Sequence, residues 1–282
     1  MGAAGLIEIK RRLKSVESTR KITKAMGLVA TSKLRKVRNE LANNEKYNDL
    51  CKEIVDVVVS NLPEGYETIY CTKRNSDKLY IVLTSDTGLC GGYNNNVISH
   101  LKQVLDNESG NAKILLVGSK GSSYMDKYGL HSFNEYVSIP DIPTVSEINK
   151  IYNEAIYLYK QGEISEVNIV YTKFISPMRQ DPVILKMLPF EPNKEEKDNY
   201  LIEPNFEEVL NNSIDTYLKS QLQNCMLHAK ASEQSARMTA MDGATENAND
   251  IIQNLNIKYN RIRQSVITQE ISEIVGGAEA QK

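Results

Sequence analysis

The stretch Met241-Asp-Gly-Ala-Thr-Glu-Asn-Ala-Asn-Asp-Ile-Ile-Gln-Asn-Leu-Asn-Ile-Lys-Tyr-Asn-Arg-Ile-Arg-Gln-Ser-Val266 places an apolar or small residue at alternating steps of four and three: Met241, Thr245, Ala248, Ile252, Leu255, Tyr259, Ile262 and Val266. That alternation is the seam of a coiled coil, and a helix carrying it must bury a narrow stripe against another helix. Toward the N-terminus the helical pattern extends back to Pro204-Asn-Phe-Glu-Glu208, where Asn205 can cap the first turn and Glu208 can reach back to it. In the other direction Gly276-Gly277 is expected to end the helix. At 1.5 Å per residue such a helix is roughly 100 Å long, too long to lie within a compact domain. From His228 to Ala244 it is rich in Ala, Ser and Gly, so a neighbouring element can approach closely.

The partner for that stripe lies at the other end of the chain. From Leu6 to Val58 there is no proline and one interior glycine, Gly27. Apolar residues recur at Leu6, Ile9, Leu13 and Val16, then at Ile22, Met26, Ala30, Leu34, Val37 and Leu41, with a slip of register between Val16 and Ile22. The two terminal helices are expected to form an antiparallel pair. Residues 10–38 carry eleven Lys and Arg, from Lys10 to Arg38, against Glu17 alone within that span and Glu8 just before it. Such a face fits either a solvated helix or an acidic partner protein. Nucleic acid is disfavoured, because the aromatic residues that stack bases are missing here and the chain carries a net charge of −2.

Between Leu79 and Phe190 the periodicity changes to short apolar runs separated by helical stretches, which reads as a mainly parallel, Rossmann-like α/β domain. Strands are expected at Leu79–Thr84, Lys113–Val117, Val167–Tyr171 and Val183–Leu188, the last two joined through Pro177 and Pro182. Helices are expected over Asn94–Leu105, Ser119–Tyr128 and Thr144–Gln161, the last opened by a capping box of Thr144 and Glu147. The expected division is therefore an N-terminal helix over 1–60, a central α/β domain over 61–203 and a C-terminal helix over 204–282. No apolar run is long enough to cross a membrane. Four scattered cysteines and three separated histidines offer no metal or disulfide pattern.

The glycine-rich loop Ser85-Asp-Thr-Gly-Leu-Cys-Gly-Gly-Tyr93 follows a strand and precedes a helix, where nucleotides bind in α/β folds. It lacks both the Lys-Ser/Thr of a P-loop and the Gly-x-Gly-x-x-Gly spacing, so backbone geometry is the simpler use of its glycines. A nucleotide-binding enzyme or sensor dimerised by the helices is the alternative reading, and a coiled-coil scaffold is another. The acidic cluster Glu191, Glu195, Glu196, Asp198 and Glu203 with Tyr200 is either a solvated loop or a second contact surface.

Ile22-Thr-Lys-Ala-Met-Gly-Leu-Val-Ala-Thr-Ser-Lys-Leu34 resembles the N-terminal signature of F-type ATP synthase gamma subunits. Ser232–Met241, Asn260–Val275 with the following Gly-Gly-Ala, and the loop Ser85–Tyr93 are similar to that family's C-terminal helix and central-domain loop, in the family's order. The resemblance implies a central-stalk rotor without catalytic residues, cofactor or metal. It implies alpha and beta subunits in a 3:3:1 complex, an epsilon subunit and a membrane c-ring as partners. The place implied is the cytoplasmic face of a bacterial cell membrane, held peripherally without insertion. Lys24, Met26, Arg237, Gln264, Thr268 and Glu270 match positions that contact alpha and beta in coupling. Tyr200 and Glu203 match the foot facing the ring and epsilon. Gly27 and Leu28 depart from the family's larger residue and Met.

Overall fold

The structure is a computed structural model that describes residues 2–61, 68–72, 76–108, 111–190, 200, 202–203 and 205–279. Its elements are α1 (Gly2–Ser60), β1 (Asp77–Leu83), α2 (Tyr93–Asn107), β2 (Ala112–Val117), α3 (Gly121–Lys127), β3 (Asn134–Tyr136), α4 (Val145–Lys160), β4 (Ile164–Ser176), β5 (Arg179–Leu188) and α5 (Phe206–Glu279). Helices α1 and α5, of 59 and 74 residues, are the two long ones expected. The chain divides into two compact units, Met1–Ala30 with Met238–Lys282, and Thr31–Arg237.

In the first unit, a stem, the two helices run antiparallel. Arg20 Nη1 donates to Asn249 Oδ1 at 3.2 Å, the hydroxyls of Thr23 and Thr245 lie 2.8 Å apart, and a Cβ on Gly27 would stand 3.6 Å from Met241 Cβ. Every expected α5 seam position from Met241 to Val266 is buried or half-buried, while most residues between them are exposed. On α1 the expected slip does not occur. The shielded stripe continues through Arg20, Thr23 and Gly27 to Ala30, and Ile22, placed on the stripe by its apolar character, is 60% exposed. The register is unbroken; only the residue type changes, from aliphatic to polar and small. Helix α5 also runs through Gly276 and Gly277, neither of which adopts the positive φ that a glycine stop uses.

The second unit is built on a five-stranded sheet in the order β3-β2-β1-β4-β5, parallel except for the β4–β5 hairpin. Strand β1 is buried from Leu79 to Leu83, as the continuous apolar run requires of a strand covered on both faces. Residues of α2 and α3, among them Val97, Ile98, Leu101 and Met125, cover one face. The other is covered by α4 and by the segments of α1 and α5 that belong to this unit, including Val55, Val58, Ile214, Leu218 and Leu222. Strand β3, three residues at the sheet edge, escapes the sequence reading because it is too short for periodicity. Pro182 sits inside β5 opposite Thr172, not in the connection; an edge strand tolerates the missing donor.

Two of the expected caps are present. Thr144 and Glu147 form the capping box of α4, and Glu208 N donates to Asn205 Oδ1 at 2.8 Å at the start of α5. Every residue of α5 from Cys225 to Ser235 is buried, so this part of the helix is enclosed on all sides and short Ala and Ser side chains fit it there. Glu191, Glu195, Glu196 and Asp198 lie outside the described residues.

Candidate functional site

In a sheet of this kind a ligand crevice opens beyond the C-terminal ends of the strands, where neighbouring connections leave on opposite faces. Here that position lies beyond β1 and β4, and the loop Ser85–Gly92 leaves it. Two residues of the loop adopt left-handed backbone, Gly91 at φ 57° and Leu89 at φ 62°. Leucine rarely adopts that conformation, and surrounding bonds hold it there. Asn94 is central to them: its Oδ1 accepts from Ser85 N at 3.0 Å and its Nδ2 donates to Ser85 Oγ at 2.8 Å. Asp86 accepts from the backbone N–H groups of Ser119, Ser138 and Ile139 at 3.0–3.2 Å, tying together the loops after β1, β2 and β3. Gly118, with φ 100°, lies so close to the end of β1 that a Cβ there would be 2.4 Å from Thr84 O.

The mouth of the crevice is filled by α5. Arg237 Nη2 donates to Thr87 O and Thr87 Oγ1, both at 2.8 Å, and its Nε donates to Gly88 O at 3.2 Å. The guanidinium also lies 2.9 Å from Glu233 Oε1, and Lys230 Nζ lies 3.4 Å from Glu233 Oε2. Gln234 Nε2 donates to Asp141 Oδ1, whose other oxygen is 2.9 Å from Lys33 Nζ. Glu233 is 3% exposed and Arg237 6%. Beneath them Tyr93 is fully buried, and its phenol is pushed well above its ordinary pKa by burial and then by Glu233. The side chain of Arg237 stands against Thr87 and Gly88 of this turn, where a nucleotide's phosphates would approach. The arrangement makes a joint between sheet and helix.

The other sequence-predicted residues are not gathered at this crevice. Lys24 is exposed and Met26 half-buried on the stem; Gln264, Thr268 and Glu270 are exposed on the same unit. From the Thr23–Thr245 pairing, Gln264 stands about 30 Å along the stem from the level of Lys24, at 1.5 Å per residue. Arg237 is separate again, buried in the second unit with its donors engaged. Tyr200 and Glu203 are exposed. Lys230, Glu233 and Gln234 complete the joint and were not singled out from sequence: Glu233 pairs locally with Lys230 and Arg237 at helical spacing, but the bonds that bring the group to the strand ends, from Gln234 to Asp141 and from Lys230 toward Asp86, join distant parts of the chain. Among the described residues no group of three or more His, Cys, Asp and Glu could hold a metal ion, and no helix is long and apolar enough to cross a membrane.

Comparison with known proteins gives a consistent result. A family model described as ATP synthase matches residues 5–281. The ATP synthase gamma chain of Clostridium botulinum (strain Eklund 17B / Type B) is 56% identical over 283 residues, covering 100% of both chains, and that of Clostridium beijerinckii is 51% identical, again over 100% of both. Among solved structures, a central stalk/c-ring chain of the Tetrahymena thermophila mitochondrial ATP synthase matches with a TM-score of 0.59 at 26% identity, over 79% of this chain and 99% of that one. A rotor chain of the Euglena gracilis mitochondrial ATP synthase shares the fold, with a TM-score of 0.68 at 17% identity over 94% and 99% of the two chains. With two long antiparallel helices, a closed Rossmann-like crevice and end-to-end relatives, the chain belongs to the gamma chains of ATP synthase.

Proposed function

We propose that this chain is the rotor of a bacterial F-type ATP synthase, turned by a membrane c-ring and turning within a collar of three alpha and three beta subunits, with epsilon bound near its foot. The catalytic sites belong to the beta subunits. The chain works as a coupling element: as the stem turns it offers each beta subunit a different face in sequence, and nucleotide events there act back on the stem by the same coupling. It sits at the cytoplasmic face of the cell membrane, held by its partners.

The observation that carries this reading is the uncovered end of α5. Beyond Val266 every described side chain through Ala278 is exposed, yet Ile267, Ile271, Ile274 and Val275 recur at helical spacing. An apolar stripe on an otherwise solvated helix calls for a surrounding partner. Exposed Lys and Arg on α1, with Ile22, Leu28 and Val29 also exposed among them, suit a collar that is acidic as well as apolar. In this reading Lys24, Met26, Gln264, Thr268 and Glu270 meet the collar directly. Arg237 acts on coupling through the Thr87–Gly88 carbonyls that it holds. Tyr200 and Glu203 face the ring and epsilon.

The test is ATPase activity of alpha and beta subunits co-expressed with this chain, against the same preparation lacking residues 260–282. The full chain is expected to purify as a 3:3:1 complex, and the truncation to lower activity or loosen assembly. A chain that never joins alpha and beta would overturn the reading.

A further inference from the structure

On the part of α1 that belongs to the second unit, Leu34, Val37 and Leu41 are buried, while Lys33, Arg35, Lys36 and Arg38 are exposed. With 3.6 residues per turn, Lys33 and Arg38 stand about 70° to either side of that buried stripe, and Arg35 and Lys36 about 130° from it. The two flanking cations are held by different elements of the α/β domain. Lys33 Nζ lies 2.9 Å from Asp141 Oδ2, in the connection between β3 and α4. The Arg38 guanidinium carbon lies 5.6 Å from the centre of the Phe174 ring, on β4. Asp141 is itself anchored: its other oxygen accepts from Gln234 Nε2, and Gln234 Oε1 accepts from Arg237 Nη1.

Burial of an apolar stripe is non-directional and by itself tolerates a small roll of the helix. Each cation contact is modest alone, since the side chains of Lys33 and Asp141 are 46% and 31% exposed. Together they act in opposition, because a roll of α1 in one sense draws Lys33 off Asp141 and a roll in the other draws Arg38 off Phe174. We propose that Lys33 and Arg38 are positioning residues: they fix the roll of α1 about its own axis and so keep Arg35 and Lys36 turned outward. Their role rests on the rotor reading, in which a helix free to roll takes up part of the rotation passed along it.

The experiment uses inverted membrane vesicles holding the whole enzyme. The initial rate of the ATP-driven membrane potential, read with a voltage-sensitive dye, is divided by the rate of ATP hydrolysis in the same sample. Asp141→Asn/Phe174→Leu removes both holds, leaves every positive charge on α1 in place and keeps an acceptor for Gln234. Its ratio is expected to fall at least twofold while hydrolysis continues. Lys33→Met should lower the ratio as far as Asp141→Asn does, and combining those two should lower it no further, because they remove the same hold. Lys33→Arg, which keeps the charge, should retain the parent ratio. Should the Phe174 change prevent assembly, the changes at Lys33 and Asp141 carry the test. Assembled variants with the parent ratio overturn the proposal and leave both contacts as surface packing. A parent chain that never joins alpha and beta overturns the rotor reading, and this role with it.

Discussion

Arg237 shows how much one side chain carries in this protein. Its guanidinium satisfies two backbone carbonyls and a buried carboxylate at once, a geometry that a planar fork can reach and a single ammonium cannot. Arg237→Met should lower stability by about 3–5 kcal/mol, read as a fall in the urea midpoint, because Glu233 is left with Lys230 alone. Arg237→Lys should recover part of that loss. His228 gives a second test, in pH. Its folded-state pKa lies near 4 against the ordinary 6.5, so the unfolded chain takes up a proton there before the folded chain does. The stabilisation is complete above pH 6.5 and is lost as pH falls toward 4. Glu45, Asp49 and Lys173 line the same pocket, so the readout is a difference: urea midpoints of His228→Gln should fall less steeply than those of the parent chain between pH 7 and 5. The sequence revealed neither residue's partners. The arginine was recognised by its resemblance to a family position and the histidine was set aside, since spacing along the chain says nothing about a neighbour 150 residues distant.

At the scale of elements, alternating steps of four and three made the α5 seam readable to the residue, and the burial of Met241 through Val266 follows it. The same method failed on α1 from Arg20 to Gly27, because apolar periodicity cannot detect a stripe filled by an arginine, a threonine and a glycine. Gly27→Ala distinguishes a helix weakness from a packing need. The nearest side-chain atom to a new Cβ is Asp242 Oδ1 at 3.1 Å, on an exposed residue that can move. The gain in helix propensity is up to about 1 kcal/mol, so a small rise in thermal stability is expected. A fall would show that close approach at this level is required. Most strands were legible because continuous apolar runs mark a sheet covered on both sides. β3 was not, since three edge residues carry too little pattern.

For the whole molecule, the α/β fold alone would predict a nucleotide-binding protein, and the sequence left that alternative open. The mouth where such a ligand would enter is occupied by Lys230, Glu233, Gln234 and Arg237 of the same chain. Equilibrium dialysis of the full-length chain with ATP, ADP and NAD is accordingly expected to show no saturable binding, and low-micromolar binding would reverse this account of the joint. The spacing of the glycine-rich loop pointed away from a nucleotide, but the α5 side chains at its mouth could be seen only once the fold brought α5 to the strand ends.

That replacement changes what the domain responds to. A Rossmann-type mouth ordinarily reports how much of a small molecule is dissolved around it, and its answer fades as that molecule is diluted. Here the guest is covalently part of the host, present at fixed occupancy whatever the composition of the cell. On the proposed reading, what reaches this crevice is mechanical, the pull of its own helix.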